Sequence, residues 1–483
     1  MTPAAVPGFP DPDTRLAGSV PPAVREVVDR FHEHGHAAYV VGGSLRDALL
    51  GREPYDWDLA SDALPDRVIQ LFPGAVYENR FGTVALRAFG RPFEVTTFRS
   101  DHEYADFRRP HRVEFGTDLL ADLARRDFTA NAIAWGRPAP GTVNASGAAD
   151  TAGAADAADP GAPFELVDPF GGRADVEARV LRAVGDPGQR FREDALRMVR
   201  GVRLAATLEF TIEPATLEAM EVHASLVAHL SGERIGAELE KLLSAPRPSV
   251  GLRLMAETGL LAVISPELAA QAGVPQNKVA GEDLWHHTLR SVDAAPASRP
   301  VVRLAALVHD IGKPATFADG RFHGHERVGA EQAAALLRSL RFPKAVIDRI
   351  THLVAHHMFS VDPTYSDGAV RRFIARIGVD ALDELLALRE ADDIGSGKAA
   401  DGPALAAFRA RIREQLEAEH ALDRNALKVD GTDLMRDLGL APGPRLGRLL
   451  DELLDRVIAD PALNDRPTLL LLAQSMLADM GDR

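Results

Sequence analysis

The stretch Val40 to Ser61, VVGGSLRDALLGREPYDWDLAS, constrains this chain more than any other. It reads as an apolar strand over Ala38 to Val41, a Gly42-Gly43 turn, a helix that ends at Gly51, and a second strand carrying Asp56 and Asp58. A glycine pair lets backbone approach a phosphate closely and opens a helix whose first N–H groups favour anions. Alternation along the second strand sets Asp56 and Asp58 on one face and Trp57 on the other. Two carboxylates so placed can hold a divalent metal against a triphosphate, which is what nucleotidyl transfer needs. A glycine turn alone is commonly just a turn, and an aspartate pair alone is commonly solvated surface. Their order within one short stretch carries the reading.

Bulk properties narrow the setting. At 483 residues the chain has room for about three domains, and 46% hydrophobic residues supply their cores. With no cysteine there are no disulfides, thiolate zinc sites or cysteine nucleophiles, so any metal must sit on His, Asp or Glu. No apolar run approaches the roughly 20 residues of a membrane span, and the first residues lack a charged region followed by an apolar core. The expectation is a soluble, cytoplasmic protein. A net charge of −15 argues against broad nucleic-acid binding, so any nucleic acid must be gripped locally.

Taken in order, residues 1–20 read as a loose tail and Pro22 to His34 as an amphipathic helix leading into the first strand. Asp66 to Phe72 suits a short helix, and Thr83 to Arg87 and Phe93 to Thr97 alternate as strands. Glu94, on the last of these, is either a third carboxylate facing the aspartates or a salt-bridged strand residue. Arg99 to Gly116 is too charged and too poorly periodic for an element and reads as a mobile loop, where Arg108 and Arg109 either reach phosphates or are solvated. DLLADLARRDFTANAIAW then reads as a helix. In it Arg126 can bind a nucleotide, and Asp127 and Asn131, four apart, either bond a ribose or hold the helix to its sheet. Residues 137–163 are Ala, Gly, Asp and Pro with almost no large apolar side chain, which predicts a disordered insertion. FELVDPFGG closes a hairpin begun by Asn131 to Trp135.

Beyond Ala174 the pattern is helical, and RFREDALRMVRGVR is its informative part. Asp194 and Arg197, three apart, are neighbours on a helix surface. Arg200 and Arg203 continue the spacing, but that stripe spirals and cannot all line one wall. An arginine-rich amphipathic helix is common in itself. Beside a nucleotidyl-transfer motif the pair gains a chemical meaning. Cytosine and adenine present an amino donor beside a ring-nitrogen acceptor, which suits one aspartate and one arginine, whereas uracil and guanine reverse that order. Such a pair selects C and A without a nucleic-acid template.

A second constellation runs from Glu282 to Asp393, in LWHHTLRSVD, LAALVHDIGKP, FHGHERVGAE, LVAHHM and LREADD. His309 and Asp310 can chelate one ion, completed by His287 and Asp392, while His325, His356 and His357 can supply a second ion or bind phosphate. Mixed His and Asp ligation suits a transition metal such as Mn, Co or Ni better than magnesium. The pattern resembles the HD domain of metal-dependent phosphohydrolases. The resemblance implies a metal-activated water that can hydrolyse phosphate esters or cyclic phosphates at RNA ends.

From Tyr39 to about Ser265, the motifs GGSLRD, DWD, RRDFTANA, DPFGG, REDALRMVRGVR and ERIGAELEKLL resemble, in order, the class II tRNA nucleotidyltransferases, the CCA-adding group that includes bacterial poly(A) polymerases. The resemblance implies an α+β chain with a small polymerase-beta-like head sheet followed by a mostly helical neck, HD domain and tail. On these motifs it implies that Gly43 and Arg46 bind nucleotide, that Asp56 and Asp58 hold magnesium, and that Arg126, Asp194, Arg197, Arg200 and Arg203 contact CTP or ATP. The implied partners are the tRNA 3′ end, CTP and ATP, with neither DNA nor membrane. Tyr104 to Pro110 is intact where relatives adding only two cytidines tend to lack a loop, which favours complete CCA addition. The insertion departs from the family pattern. Expected boundaries are a head over 21–175, a neck and body over 176–275, the HD domain over 276–400 and a tRNA-binding tail over 401–483. Two alternatives stand: a poly(A) polymerase, and a phosphohydrolase whose head only binds nucleotide.

Overall fold

The computed structural model describes residues 18–54, 56–79, 82–104, 110–140, 164–276, 278–362, 364–400, 402–418 and 421–481. Most of the expected N-terminal tail, most of the insertion, and Arg108 and Arg109 lie outside these residues. Contacts divide the chain into one unit through Ile264 and another from Ser265. Among the described residues no helix is long and apolar enough to cross a membrane.

The first unit is built on strands β1 (Ala38–Val41), β2 (Asp58–Ser61), β3 (Val76–Asn79), β4 (Thr83–Ala88), β5 (Arg91–Thr97), β6 (Arg99–Tyr104), β7 (Pro110–Phe115), β8 (Ala134–Arg137) and β9 (Glu165–Val167). Seven of them form one sheet in the order β3-β4-β5-β2-β1-β8-β9. The β2–β5 pair runs parallel and the other pairs antiparallel. All four residues of β1 are buried, as a continuous apolar run requires of a strand near the middle of a sheet. Helix Pro22–Glu33 buries Val24, Val27, Val28 and Phe31, the i, i+3, i+4, i+7 stripe of an amphipathic helix. Helix Gly43–Leu49 follows the turn directly and ends before Gly51.

Four local expectations are corrected. Arg99 to Gly116 is not a structureless loop: β6 and β7 pair as an antiparallel hairpin in register from Arg99 opposite Phe115. Asp56 is not on a strand, because β2 begins at Asp58 and Asp56 sits in the bend before it. The expected helix from Asp118 to Trp135 is only Leu119–Ala124, capped by Asp118. Thr129–Asn131 is a separate 3₁₀ turn and Ala134 already belongs to β8. Asp194 and Arg197 do not share a helix, because Asp194 is extended between helices Pro187–Glu193 and Leu196–Leu208. Its Oδ1 accepts from Leu196 N–H at 3.1 Å, a local bond that competes with helix continuation.

Among its described residues the second unit is helical apart from one small hairpin, Phe317–Ala318 with Arg321–Phe322. Helices Leu284–Ala294, Pro300–Val308, His325–Ser339, Lys344–His356 and Val379–Gly395 carry or adjoin the expected His and Asp ligands. Gly312 is needed there, because a Cβ on it would lie 2.4 Å from His325 O, so only glycine lets the chain after Asp310 approach the start of the His325 helix. Farther along, Leu434, Leu449, Leu453, Leu469 and Ala473 form a separate, fully buried cluster.

Candidate functional site

The first site gathers at the glycine turn. Gly42 has φ +76°, and a Cβ added there would lie 3.2 Å from Arg126 Nη1 and 3.8 Å from Asp58 Oδ2. A side chain at this position would therefore intrude between a cation and a carboxylate that face one space. The parallel register sets Glu94 beside Asp58 on the neighbouring strand, a place from which it can act as a third carboxylate. Burial, Asp56 and Glu94 push the Asp58 carboxyl up to about 6, with Arg126 working against them. Acids crowded in this way favour a divalent cation among them.

Around this group the cations are held by fixed partners. Asp122, 1% exposed, accepts from Arg125 at 2.7 Å and from Arg126 at 3.1 Å. Asp127 pairs with Arg200 at 2.8 Å and accepts from Asn131 Nδ2 at 3.0 Å. Burial opposes the Asp127 charge, yet Arg200 and Asn131 hold its carboxyl well below the usual range. Asn131 Oδ1 in turn accepts from Arg46 at 2.6 Å. Asp127 and Asn131 thus meet through the 3₁₀ turn rather than along one helix. Asp194 Oδ2 accepts from Arg234 at 2.7 Å, and Arg197 donates to Glu193 at 2.7 Å and to Arg125 O at 2.8 Å.

A cleft of about 470 Å³ brings together Gly43, Asp58, Glu94, Arg126, Asp194, Arg197 and Arg200. Arg46 and Arg203 are elsewhere. Arg46 is buried against Gly43 and Asn131 as a brace, and Arg203 donates to Glu238. Arg203 lies away because three-residue steps rotate about 60° each around a helix, as the spacing predicts. Asp56 is exposed at the approach to the strand.

The second site is closed. His287 Nε2 lies 3.1 Å from His309 Nε2, 3.3 Å from Asp310 Oδ2 and 3.3 Å from Asp392 Oδ1. His325 and His357 meet Nε2 to Nε2 at 3.3 Å, and both face Asp310 Oδ1, at 3.4 and 3.5 Å. His309, His325 and His357 each place Nδ1 2.7–2.9 Å from a backbone carbonyl, of Ala306, Phe322 and Val354. A carbonyl only accepts, so those Nδ1 atoms carry the protons and the Nε2 atoms present lone pairs. Lone pairs this close repel unless a cation sits among them, and Asp310 Oδ1 is buried without a hydrogen bond. Burial opposes the Asp310 charge, but the Lys313 ammonium, 2.6 Å from its Oδ2, holds the carboxyl well below the usual range. Two groups, His287, His309, Asp392 and Asp310, His325, His357, can each hold a metal ion.

His356 belongs to neither group. Neighbours on a helix point about 100° apart, so only one of two adjacent histidines can face the centre. His356 Nδ1 bonds His352 O at 2.9 Å and its ring packs on His352. Asp310 also departs from the single-ion expectation, since it turns one oxygen to each group.

Family models match along most of the chain: the poly A polymerase head domain over residues 38–182, the probable RNA and SrmB-binding site of polymerase A over 209–271, and the HD domain over 279–395. The chain is 33% identical to the CCA-adding enzyme of Streptococcus thermophilus over 93% of its own length and 96% of that protein. It belongs to the CCA-adding enzyme family. To the CCA-adding enzyme of Geobacillus stearothermophilus it is 31% identical, over 91% of this chain and 93% of that one. The crystal structure of the Bacillus stearothermophilus CCA-adding enzyme in complex with CTP superposes with a TM-score of 0.65 at 26% identity, covering 98% and 100% of the two chains.

Within this CCA-adding enzyme framework, sequence reasoning missed Arg234, Asp122 and Arg125 in the first site and Gln276, Lys278 and Lys313 in the second. Arg234 lies inside ERIGAELEKLL, a motif recognised as a whole without asking which of its side chains reaches Asp194. Asp122 had a usable signal: an acid three and four residues before two arginines on a short helix.

Proposed function

We propose that this protein adds C, C and A to the 3′ end of tRNA from CTP and ATP, releasing pyrophosphate without a nucleic-acid template. Family membership supports this, and one observation carries it: Asp58 and Arg126 converge on the Gly42 turn in the cleft that also holds Asp194 and Arg197. Asp56 and Asp58, with Glu94 beside them, hold magnesium, which when bound offsets the triphosphate charge and favours in-line attack at the α-phosphate. Arg126, fixed by Asp122, meets phosphate oxygens over the glycine turn. Asp194 and Arg197, each pinned by its own partners, present fixed edges to the incoming base, so a C or A is matched and a U or G meets donors and acceptors in the wrong order. Incubation with tRNA lacking its CCA end, given CTP, ATP or both, followed by sequencing of product ends, tests this. Ends extended by CCA are expected, and a run of adenosines in their place identifies a poly(A) polymerase instead.

A second activity is favoured by the converging Nε2 atoms of the HD centre. His287, His309, Asp310 and Asp392, with His325 and His357, hold one or two transition-metal ions such as Mn, Co or Ni, which supply an activated water for phosphoester hydrolysis. The residues around them fix ring orientation and exclude bulk water. The substrates are phosphomonoesters or cyclic phosphates at RNA ends. Absence of turnover on both classes across Mg, Mn, Co and Ni would overturn this reading.

A further inference from the structure

The turn between Gly273 and Leu284 enters the HD centre from outside the helices that carry its ligands. Its base is closed tightly. Leu284 N–H donates to Val274 O at 2.8 Å, Gly273 N–H donates to Asp283 Oδ2 at 2.7 Å, and Pro275 bridges Asp283. Two side chains from this turn reach the ligand carboxylates. Gln276 Nε2 donates to Asp310 Oδ2 at 3.3 Å, and Lys278 Nζ lies 3.4 Å from Asp392 Oδ1. Neither contact is a finished arrangement. Gln276 Oε1 is buried with no hydrogen-bond partner among the described residues, and the Lys278 side chain remains 33% exposed, so it spans the solvent and the centre.

We propose that Lys278 binds a phosphate oxygen of the HD-centre substrate, with Gln276 beside it, and that Asp392 holds the ammonium only until an ion takes that carboxylate. This rests on the reading of Asp392 as a metal ligand. A protonated lysine has no lone pair and cannot itself be a ligand. An ammonium and a divalent ion sharing one carboxylate oxygen repel strongly, so ion binding drives the lysine off Asp392. The closed base of the turn keeps its flexible stem near the centre. The group that then meets a mobile ammonium beside a cationic centre is an anion, and the chemistry of that centre makes it a phosphate. Lys313 cannot take this part in the same way. It is 6% exposed and lies 2.6 Å from Asp310 Oδ2, embedded among the ligands rather than reaching in from solvent.

The test uses the full chain as wild type, Lys278→Ala, Lys278→Arg and His309→Ala. Mn²⁺ binding to metal-free protein is measured by competition with a chelating dye, and inorganic phosphate binding to Mn²⁺-loaded protein by calorimetry. Lys278→Ala should weaken phosphate binding about tenfold, as loss of one charge-assisted hydrogen bond implies. Lys278→Arg should restore most of it. Metal-free Lys278→Ala should bind Mn²⁺ several-fold more tightly, because the competing ammonium is gone; a lysine that only stiffened the turn would give weaker Mn²⁺ binding. Phosphate affinity in Mn²⁺-loaded Lys278→Ala within twofold of wild type overturns the proposal. Failure of the underlying metal reading shows separately, as wild type and His309→Ala binding Mn²⁺ alike, and takes the proposal with it.

Discussion

The two metal-competent regions follow opposite plans. In the head, Asp58, Asp56 and Glu94 crowd the open end of a strand pair, and burial, with the charges of Asp56 and Glu94 added to it, is what lifts Asp58. In the second unit the rings of His287, His309, His325 and His357 are buried, with three of the four tautomers set by backbone carbonyls. The first arrangement is strained until a cation and its phosphates arrive; the second is shaped before anything arrives. Open acid clusters suit a centre whose ion comes and goes with a nucleotide, and closed imidazole cages suit a resident ion.

That contrast can be broken most directly at Asp58. Asp58→Ala should cut nucleotide incorporation about a thousandfold or more while tRNA binding by filter assay persists. Near-normal incorporation would mean that the open cluster is not where chemistry happens. Next in size, Asp194→Ala should lower the preference for CTP and ATP over UTP and GTP by about a hundredfold, measured as kcat/KM ratios. An unchanged ratio would remove base selection from this cleft. In the closed centre, His309→Ala should weaken Mn²⁺ or Co²⁺ retention through gel filtration by about ten- to a hundredfold. Equal retention in both proteins would show that the cage is not the resident site.

The smallest expected effect concerns pH. Because the folded Asp58 carboxyl lies at about 6, above its ordinary 3.8, the folded protein binds that proton more tightly than the unfolded chain. Its contribution is fully present below pH 3.8 and is lost as pH rises through about 6, a change of about 3 kcal/mol. In chelator-treated protein, Asp58→Asn should flatten this part of the stability curve, and added Mg²⁺ should offset the loss in wild type. A curve the same for both proteins in chelator would mean that neither burial nor the neighbouring carboxylates raise Asp58 in the folded protein.

How far each region could be read from sequence follows from how it is built. The glycine turn and β1 were legible because an unbroken apolar run followed by Gly-Gly leaves few conformations. The closed cage was legible because its His and Asp residues fall in five short motifs, on helical patterns, that together resemble a known domain. The β6–β7 ribbon was not, because charged and polar residues scattered through Arg99 to Gly116 erase the apolar alternation that announces a strand. Asp194 misled for a different reason. Its surroundings are helical by composition, and only the side-chain bond to Leu196 N–H, invisible to periodicity, splits the segment. Partners from distant sequence, such as Arg234 for Asp194 and Lys278 for Asp392, carry no local signature at all.

Asp310 turns Oδ2 toward His287 and His309, and Oδ1 toward His325 and His357. Were ions to enter the cage, both ligand groups would lean on this one side chain, and its loss would unsettle the two together.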